Sequence, residues 1–171
     1  MKRSVLILVL VLVLALAGAA LAMKHGGAGS CHYCGMDLEK FAHTAMTIEY
    51  EDGSKVDVCS LHCAAIDLAL NMGKAPKSIM VGDHNTKKKI DAEKAYWVLD
   101  GSNPGVMSTR GKWAFSENKG ADSFINDNCA GSGKVVAFED ALKAAYEDMY
   151  ADTLMIRKKR KMMKMQGEMK H

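Results

Sequence analysis

Cys31-His-Tyr-Cys34-Gly-Met36 and Cys59-Ser-Leu-His-Cys63 put four thiols into two short runs, with 24 residues between Cys34 and Cys59. A C-x2-C followed by a C-x3-C is the spacing of a four-cysteine tetrahedral metal site, because each pair can present two sulfurs from one turn. Gly35 permits the tight turn that the first pair needs. Cys59 is placed at the end of a strand and Cys63 in the first turn of a helix, where the free N–H groups and the helix dipole favour a thiolate. Two other readings of the same cysteines stand beside this one. They could be disulfides, as in most exported chains, although Cys31–Cys34 and Cys59–Cys63 would close short, strained loops. They could also form a zinc knot whose contribution is stability alone. Cys129, beside Gly131-Ser132-Gly133, stands apart and reads as a half-buried small residue.

The rest of the composition favours soft-metal chemistry. The chain has 171 residues with 13 Met, 5 Cys and 6 His against 4 Phe and 2 Trp. Thioether, thiolate and imidazole are the donors that select Cu(I) and related ions. His62, between the later cysteines, is a candidate metal ligand or an outer partner of one, with an exposed histidine at a helix start as its plain alternative. His32 has the same ambiguity. Hydrolase and nucleotide chemistry find no support. There is no H-E-x-x-H, no nucleophile elbow, and no lysine and hydroxyl after Gly131-Ser132-Gly133 to make a phosphate loop.

Charge is uneven. The segment from Arg157 to His171 holds seven Lys or Arg against Glu168, whereas 14 basic and 19 acidic residues lie between Arg3 and that segment. An acidic body with a basic tail is not the footprint of a nucleic-acid-binding face. Lys2 and Arg3 precede 19 apolar residues, Val5 to Met23, with Ala20-Leu21-Ala22 as a small-x-small cleavage site. Residues 1–22 therefore read as an export signal or, uncleaved, as a membrane anchor. Either places the functional part outside the cytoplasm, in a bacterial periplasm.

Several elements must hold the cysteines in place. Thr44 to Tyr50 alternates as a strand, Asp52-Gly53 turns, and Val56 and Val58 continue a second strand. Ser60 caps a helix from Leu61 to about Asn71, closed by Gly73, with Ala65, Ile66, Ala69 and Leu70 on its buried face. Further strands are predicted at Ile79–Val81, Ala95–Leu99, Trp113–Phe115 and Val135–Phe138. A helix is predicted over Gly120–Asn128, and another from Glu139 with Leu142, Ala145, Tyr146, Met149 and Tyr150 facing the core. The fold class is α+β: two small ββα-type units (31–75 and 76–150), the second repeating the first as an internal duplication, then a basic, Met-rich tail (151–171). That tail reads as a solvated helix extension meeting anionic lipid or the acidic body. Its alternative is a loose arm that gathers Cu(I) through Met162, Met163, Met165, Met169 and His171.

Over roughly residues 31 to 145 the chain resembles the NosL-like family of nitrous oxide reductase accessory proteins. The resemblance is carried by Cys34-Gly35-Met36, Tyr96-Trp-Val-Leu-Asp-Gly101-Ser102 with Met107, Trp113-Ala-Phe115, Ala121-x-x-Phe124 and Gly133-Lys-Val-Val-Ala-Phe138-Glu-Asp-Ala-Leu142. It implies an exported copper chaperone, generally a membrane-anchored lipoprotein, that delivers Cu(I) to nitrous oxide reductase. It also implies two ββα-type domains like the metal-handling part of organomercurial lyases, and adds Met36 and Met107 to the ligand candidates Cys31, Cys34, Cys59, His62 and Cys63. Two features depart from the family. The upstream lipoprotein cysteine is not clearly present, and the Cys59/Cys63 pair is more similar to the TRASH and YHS metal domains. Copper(I) is thus the expected metal and zinc the alternative. The expected partner is a copper-enzyme apoprotein or another copper carrier, with no nucleic acid. A heavy-metal resistance protein, a structural zinc module and a periplasmic thiol–disulfide oxidoreductase are the rival functions.

Overall fold

The structure is a computed structural model and describes residues 29–130 and 132–168. The export or anchor segment, Met169 and His171 lie outside the described residues. Strand β1 (Met46–Tyr50) alternates as the sequence dictates, with Met46, Ile48 and Tyr50 buried and Thr47 and Glu49 half-buried. Gly53, at φ +80°, makes the turn, and its N–H donates to the Tyr50 carbonyl at 2.9 Å. β2 (Lys55–Val58) returns antiparallel with Ile48 opposite Val56 and Met46 opposite Val58. Helix α1 (Leu61–Leu70) follows.

β3 (Pro76–Gly82) then pairs with β1, setting Ile48 against Ile79 and Met46 against Val81, and β4 (Lys89–Asp91) pairs with β3. The first sheet has the order β2-β1-β3-β4. The strand read from Ile79–Val81 as part of the second repeat therefore joins the first sheet, and β4 had no counterpart in the sequence reading. The second sheet, β6-β5-β7, comprises β5 (Tyr96–Asp100), β6 (Gly111–Phe115) and β7 (Lys134–Val136). Helix α2 (Asn118–Asn128) lies between β6 and β7, and α3 (Phe138–Glu168) ends the described chain. The class is α+β, with strand-strand-helix recurring as β5-β6-α2.

β5 divides the interior by its period of two. Trp97 and Leu99 join a core that also holds Met46, Ile48, Val58, Val81 and Phe138, while Val98 faces a second core of Trp113, Phe115, Ala121 and Cys129. The Trp97 indole N–H, which burial obliges to find a partner, donates to the Ala92 carbonyl at 2.8 Å. Several predicted faces shift. On α1 the first half is buried, Ala69 and Leu70 are exposed, and the end is capped by Asn71 rather than Gly73, its side-chain amide donating to the Asp67 carbonyl at 2.9 Å. Ser60 occupies the N-cap but makes no side-chain cap bond. On α3 the buried positions are Phe138, Ala141, Ala144, Ala145 and Asp152, whereas Tyr146 and Tyr150 are exposed. The face is rotated by about one residue, because small alanines permit the close approach to the cores that the tyrosines would block. Phe138 opens α3 instead of ending a strand, and packs 5.9 Å from Trp97, ring to ring. The tail continues α3 as helix through Glu168, with Met162, Met163 and Met165 exposed. None of the described helices is long and apolar enough to cross a membrane.

At the end of β5, Asp100 is 0 % exposed and accepts from the Ser102 N–H (2.7 Å), the Ser102 hydroxyl (2.6 Å) and the Asn103 amide (2.9 Å). Burial alone would raise its pKa. The Ser102 and Asn103 donors outweigh it and hold the carboxyl at about 2, below the ordinary 3.8. A depressed folded-state pKa stabilises the protein above the unfolded value, and that stability is lost as pH falls towards the folded value. Urea unfolding should therefore show about 2 kcal/mol of stability lost between about pH 5 and pH 2. Asp100→Asn should flatten that part of the profile; an unchanged slope would remove Asp100 as its source.

Candidate metal centre

The first cysteine pair sits on a closed loop. Ser30 and Asp37 form a bridge across its base, the Cys31 N–H donates to the Met36 carbonyl at 2.8 Å, and the Gly35 N–H to the Cys31 carbonyl at 2.9 Å. Gly35 holds φ +75°, which a side chain would oppose. The His32 N–H reaches the Asp57 carbonyl at 3.0 Å and so fastens the loop to β2. The second pair brackets the start of α1. Cys59 directly follows β2, its carbonyl accepting from the Thr44 hydroxyl at 2.8 Å, and Cys63 lies in the first helical turn.

These two local structures meet. The sulfurs of Cys31, Cys34, Cys59 and Cys63 all lie within 4.8 Å of one another. Cys34 Sγ is 3.4 Å from Cys59 Sγ, which is 3.8 Å from Cys63 Sγ. All five cysteines are free thiols, so the disulfide reading does not hold here. Cys31, Cys59 and Cys63 are 0 to 1 % exposed and Cys34 is half-buried. The sulfurs also compete for protons. Hydrogen bonds from the other three thiols hold Cys31 well below the usual thiol range. Cys34 is lowered to about 7, because contacts with Cys59 and Cys63 outweigh the opposing one from Cys31. Cys59 and Cys63 are pushed up, first by hydrogen bonding to Cys31 and Cys34 and then by burial. The helix-start thiolate expected at Cys63 is therefore overridden by its neighbours.

Tyr33, inside the first pair, donates its hydroxyl to Asp67 Oδ1 at 2.5 Å, and Tyr50 donates to Oδ2 of the same carboxyl group. Asp67 is one helical turn beyond Cys63, so α1 holds both a thiol and the anchor of the loop that carries two others. The i, i+4 relation of Cys63 and Asp67 is the signal in the sequence that points to this anchor.

The remaining candidates are placed differently. Met36 and Met107 are half-buried and pack against the core cluster that contains Cys31, Cys59 and Cys63. His62 is buried, not exposed, and its Nδ1 lies 3.2 Å from Asp152 Oδ2. Among the described residues the close group of His, Cys, Asp and Glu donor atoms is the four cysteines, without His62. His32 is exposed and stacks edge-on against Tyr33. Cys129 is fully rather than half-buried, belongs to the other core, and has its thiol raised to about 11 by burial and by Asp100.

The NosL family model matches residues 22–146. The chain belongs to the NosL family. Its fold is similar to the crystal structure of the copper chaperone NosL from Shewanella denitrificans, with a TM-score of 0.52 and 22% sequence identity, covering 69% of this chain and 92% of that one. No curated protein matches the chain. Four soft donors converging on one point are chemically suited to a soft, low-coordinate or tetrahedral cation.

Proposed function

We propose that this NosL-family protein is an exported copper(I) carrier, a non-enzymatic metallochaperone. It takes Cu(I) as cargo at Cys31, Cys34, Cys59 and Cys63 and passes it to the apoprotein of a copper enzyme, nitrous oxide reductase or a relative. The observation that carries this reading is the convergence of four free thiols, three of them buried, from two loops that α1 and β2 hold together. Cu(I) is stabilised by two to four soft donors and tolerates a change in their number, which exchange with a partner requires. Cys34, the half-buried thiol, is the donor that a partner's sulfur can replace first. Met36 and Met107, packed against the same core, are further soft donors for the site.

The C-x2-C is poorly suited to thiol–disulfide exchange. It lies on a loop closed by the Ser30–Asp37 bridge and does not open a helix after a strand. Zinc is the second reading, favoured by one observation. A tetrahedral Zn–thiolate site with bonds of about 2.3 Å has sulfurs about 3.8 Å apart, which is the spacing of Cys59 and Cys63.

Anaerobic titration of the reduced protein with Cu(I) against a competing chelator, with zinc in parallel, separates the two. The copper reading expects one equivalent of Cu(I) held far more tightly than zinc. Retention of zinc with no preference for Cu(I) would overturn it and leave a structural zinc module.

A further inference from the structure

One buried carboxyl group joins three segments that are far apart in sequence. Asp152, on α3, is 0 % exposed. Its Oδ1 accepts the Thr109 backbone N–H at 2.7 Å and the Thr109 hydroxyl at 2.9 Å. Its Oδ2 lies 3.2 Å from Nδ1 of His62, which is itself 4 % exposed. One contact leads to the thiol site and the other to the loop that carries Met107. His62 adjoins Cys63 in the first turn of α1, and Thr109 is two residues beyond Met107.

The loop between β5 and β6 does not hold its shape by local preference. Met107 adopts φ +60°, a region that disfavours any residue with a Cβ and persists only where surroundings impose it. The loop's flanks are tied by a Gly105–Ser108 bridge and by Lys112 Nζ donating to the Ser108 hydroxyl at 2.8 Å. Arg110 reaches Asp148 on α3 at 2.9 and 3.0 Å, and Lys112 reaches it at 2.7 Å. Asp148 serves the flank of the loop alone. Asp152 serves the loop and the cysteine helix together.

We infer that Asp152 is a positioning residue for the thiol site: through His62 it locks the turn between Cys59 and Cys63 against the loop that carries Met107. This rests on the copper reading above. With Oδ1 accepting two hydrogens from Thr109, Oδ2 takes the imidazole hydrogen, which places it on Nδ1 of His62. The imidazole acts by holding the helix turn in register while Met107 is held against the core on the other side. Groups outside the ligand set that orient a metal site change affinity by about 10 to 100-fold when replaced.

The test is Asp152→Asn, an isosteric change that keeps an oxygen for Thr109 and turns an N–H2 towards His62. In the metal-free protein, two NMR changes are expected. The His62 hydrogen moves from Nδ1 to Nε2, read by long-range ¹⁵N couplings, and the Thr109 amide exchanges with solvent about tenfold faster. In the Cu(I) competition titration, affinity should fall by at least about tenfold. Asp148→Asn, which loosens α3 from the same loop, should change Cu(I) affinity less than about twofold. Thr109→Val, which removes one contact and keeps the carboxyl group, should give a smaller loss in the direction of Asp152→Asn and serves if that variant does not fold. The inference is overturned if the tautomer and the Thr109 amide are unchanged, or if Asp148→Asn weakens Cu(I) as much as Asp152→Asn. A parent protein that ignores Cu(I) sinks the copper reading alone, and the metal-free comparison still decides the role of Asp152.

Discussion

Cys59→Ser should lower Cu(I) affinity by about 100-fold or more, while Cys129→Ser leaves it within about twofold. Cys59 touches two of the other sulfurs, Cys34 at 3.4 Å and Cys63 at 3.8 Å, and is 0 % exposed. Serine matches it in shape and supplies a hard oxygen, which Cu(I) binds poorly. A lost ligand exceeds the 10 to 100-fold typical of outer-shell changes, and the buried hydroxyl has no metal to compensate for it. Cys129 is equally buried, so its replacement controls for the general cost of putting a hydroxyl into a core. Its Sγ points to the Phe124 carbonyl, 3.9 Å away in the second cluster, and can take no part in the site. The same chelator competition, run on both variants beside thermal melts of the metal-free proteins, gives the comparison. Equal Cu(I) binding by parent and Cys59→Ser would remove the four-sulfur cluster from the mechanism.

Gly82→Ala is expected to be the most damaging single-methyl change in the sheet. A Cβ at Gly82 would lie 1.8 Å from the carbonyl oxygen of Ala42 and 2.9 Å from its carbon. Both are backbone atoms and cannot swing aside as a long side chain would. Gly82 ends β3 where its N–H donates to the Ala45 carbonyl at 2.9 Å, next to the start of β1. Relief therefore requires the turn that carries Ala42 and His43 to move away from the end of β3. Overpacking of this kind costs about 3 kcal/mol, which lowers the melting temperature of a domain this size by roughly 10 °C. Gly73→Ala, where the added methyl meets nothing within 4 Å, is the control and should change little. A Gly82→Ala melting temperature within about 2 °C of the parent would contradict the predicted clash.

How legible the molecule is depends on the range of the interaction. The β1–β2 hairpin follows from alternation and Asp52-Gly53, Ser60 marks the start of α1 although its side chain makes no cap bond, and the grouping of the four cysteines follows from the spacing of the two pairs. All are decided within a few residues or by covalent spacing. Sheet membership is not. Ile79 and Val81 look like strand residues in any sheet, and only their register against Ile48 and Met46 places them in the first. On α3 the sequence pattern finds Ala145 but misses Ala141 and Ala144, because Tyr146 and Tyr150 carry more apolar surface than either alanine. The packing rewards closeness rather than side-chain area. The sequence leaves the role of His62 open because its partner, Asp152, stands 90 residues away and has no local signature.

That same separation bears on when the protein becomes competent. The four thiols of the site all lie before residue 64, yet the helix that contacts His62 is the last element of the described chain. Elements of the first sheet can form as they emerge, since β1, β2 and α1 are neighbours in sequence. Closure by α3 has to wait for nearly the whole polypeptide and for a contact of long loop-closure distance, the slow kind in folding. Until then His62 lacks its Asp152 partner, and the turn between Cys59 and Cys63 lacks its tie to the loop that carries Met107. Truncated or unfinished chains would therefore carry the four sulfurs without that tie, so an N-terminal site depends on the last helix of the described chain.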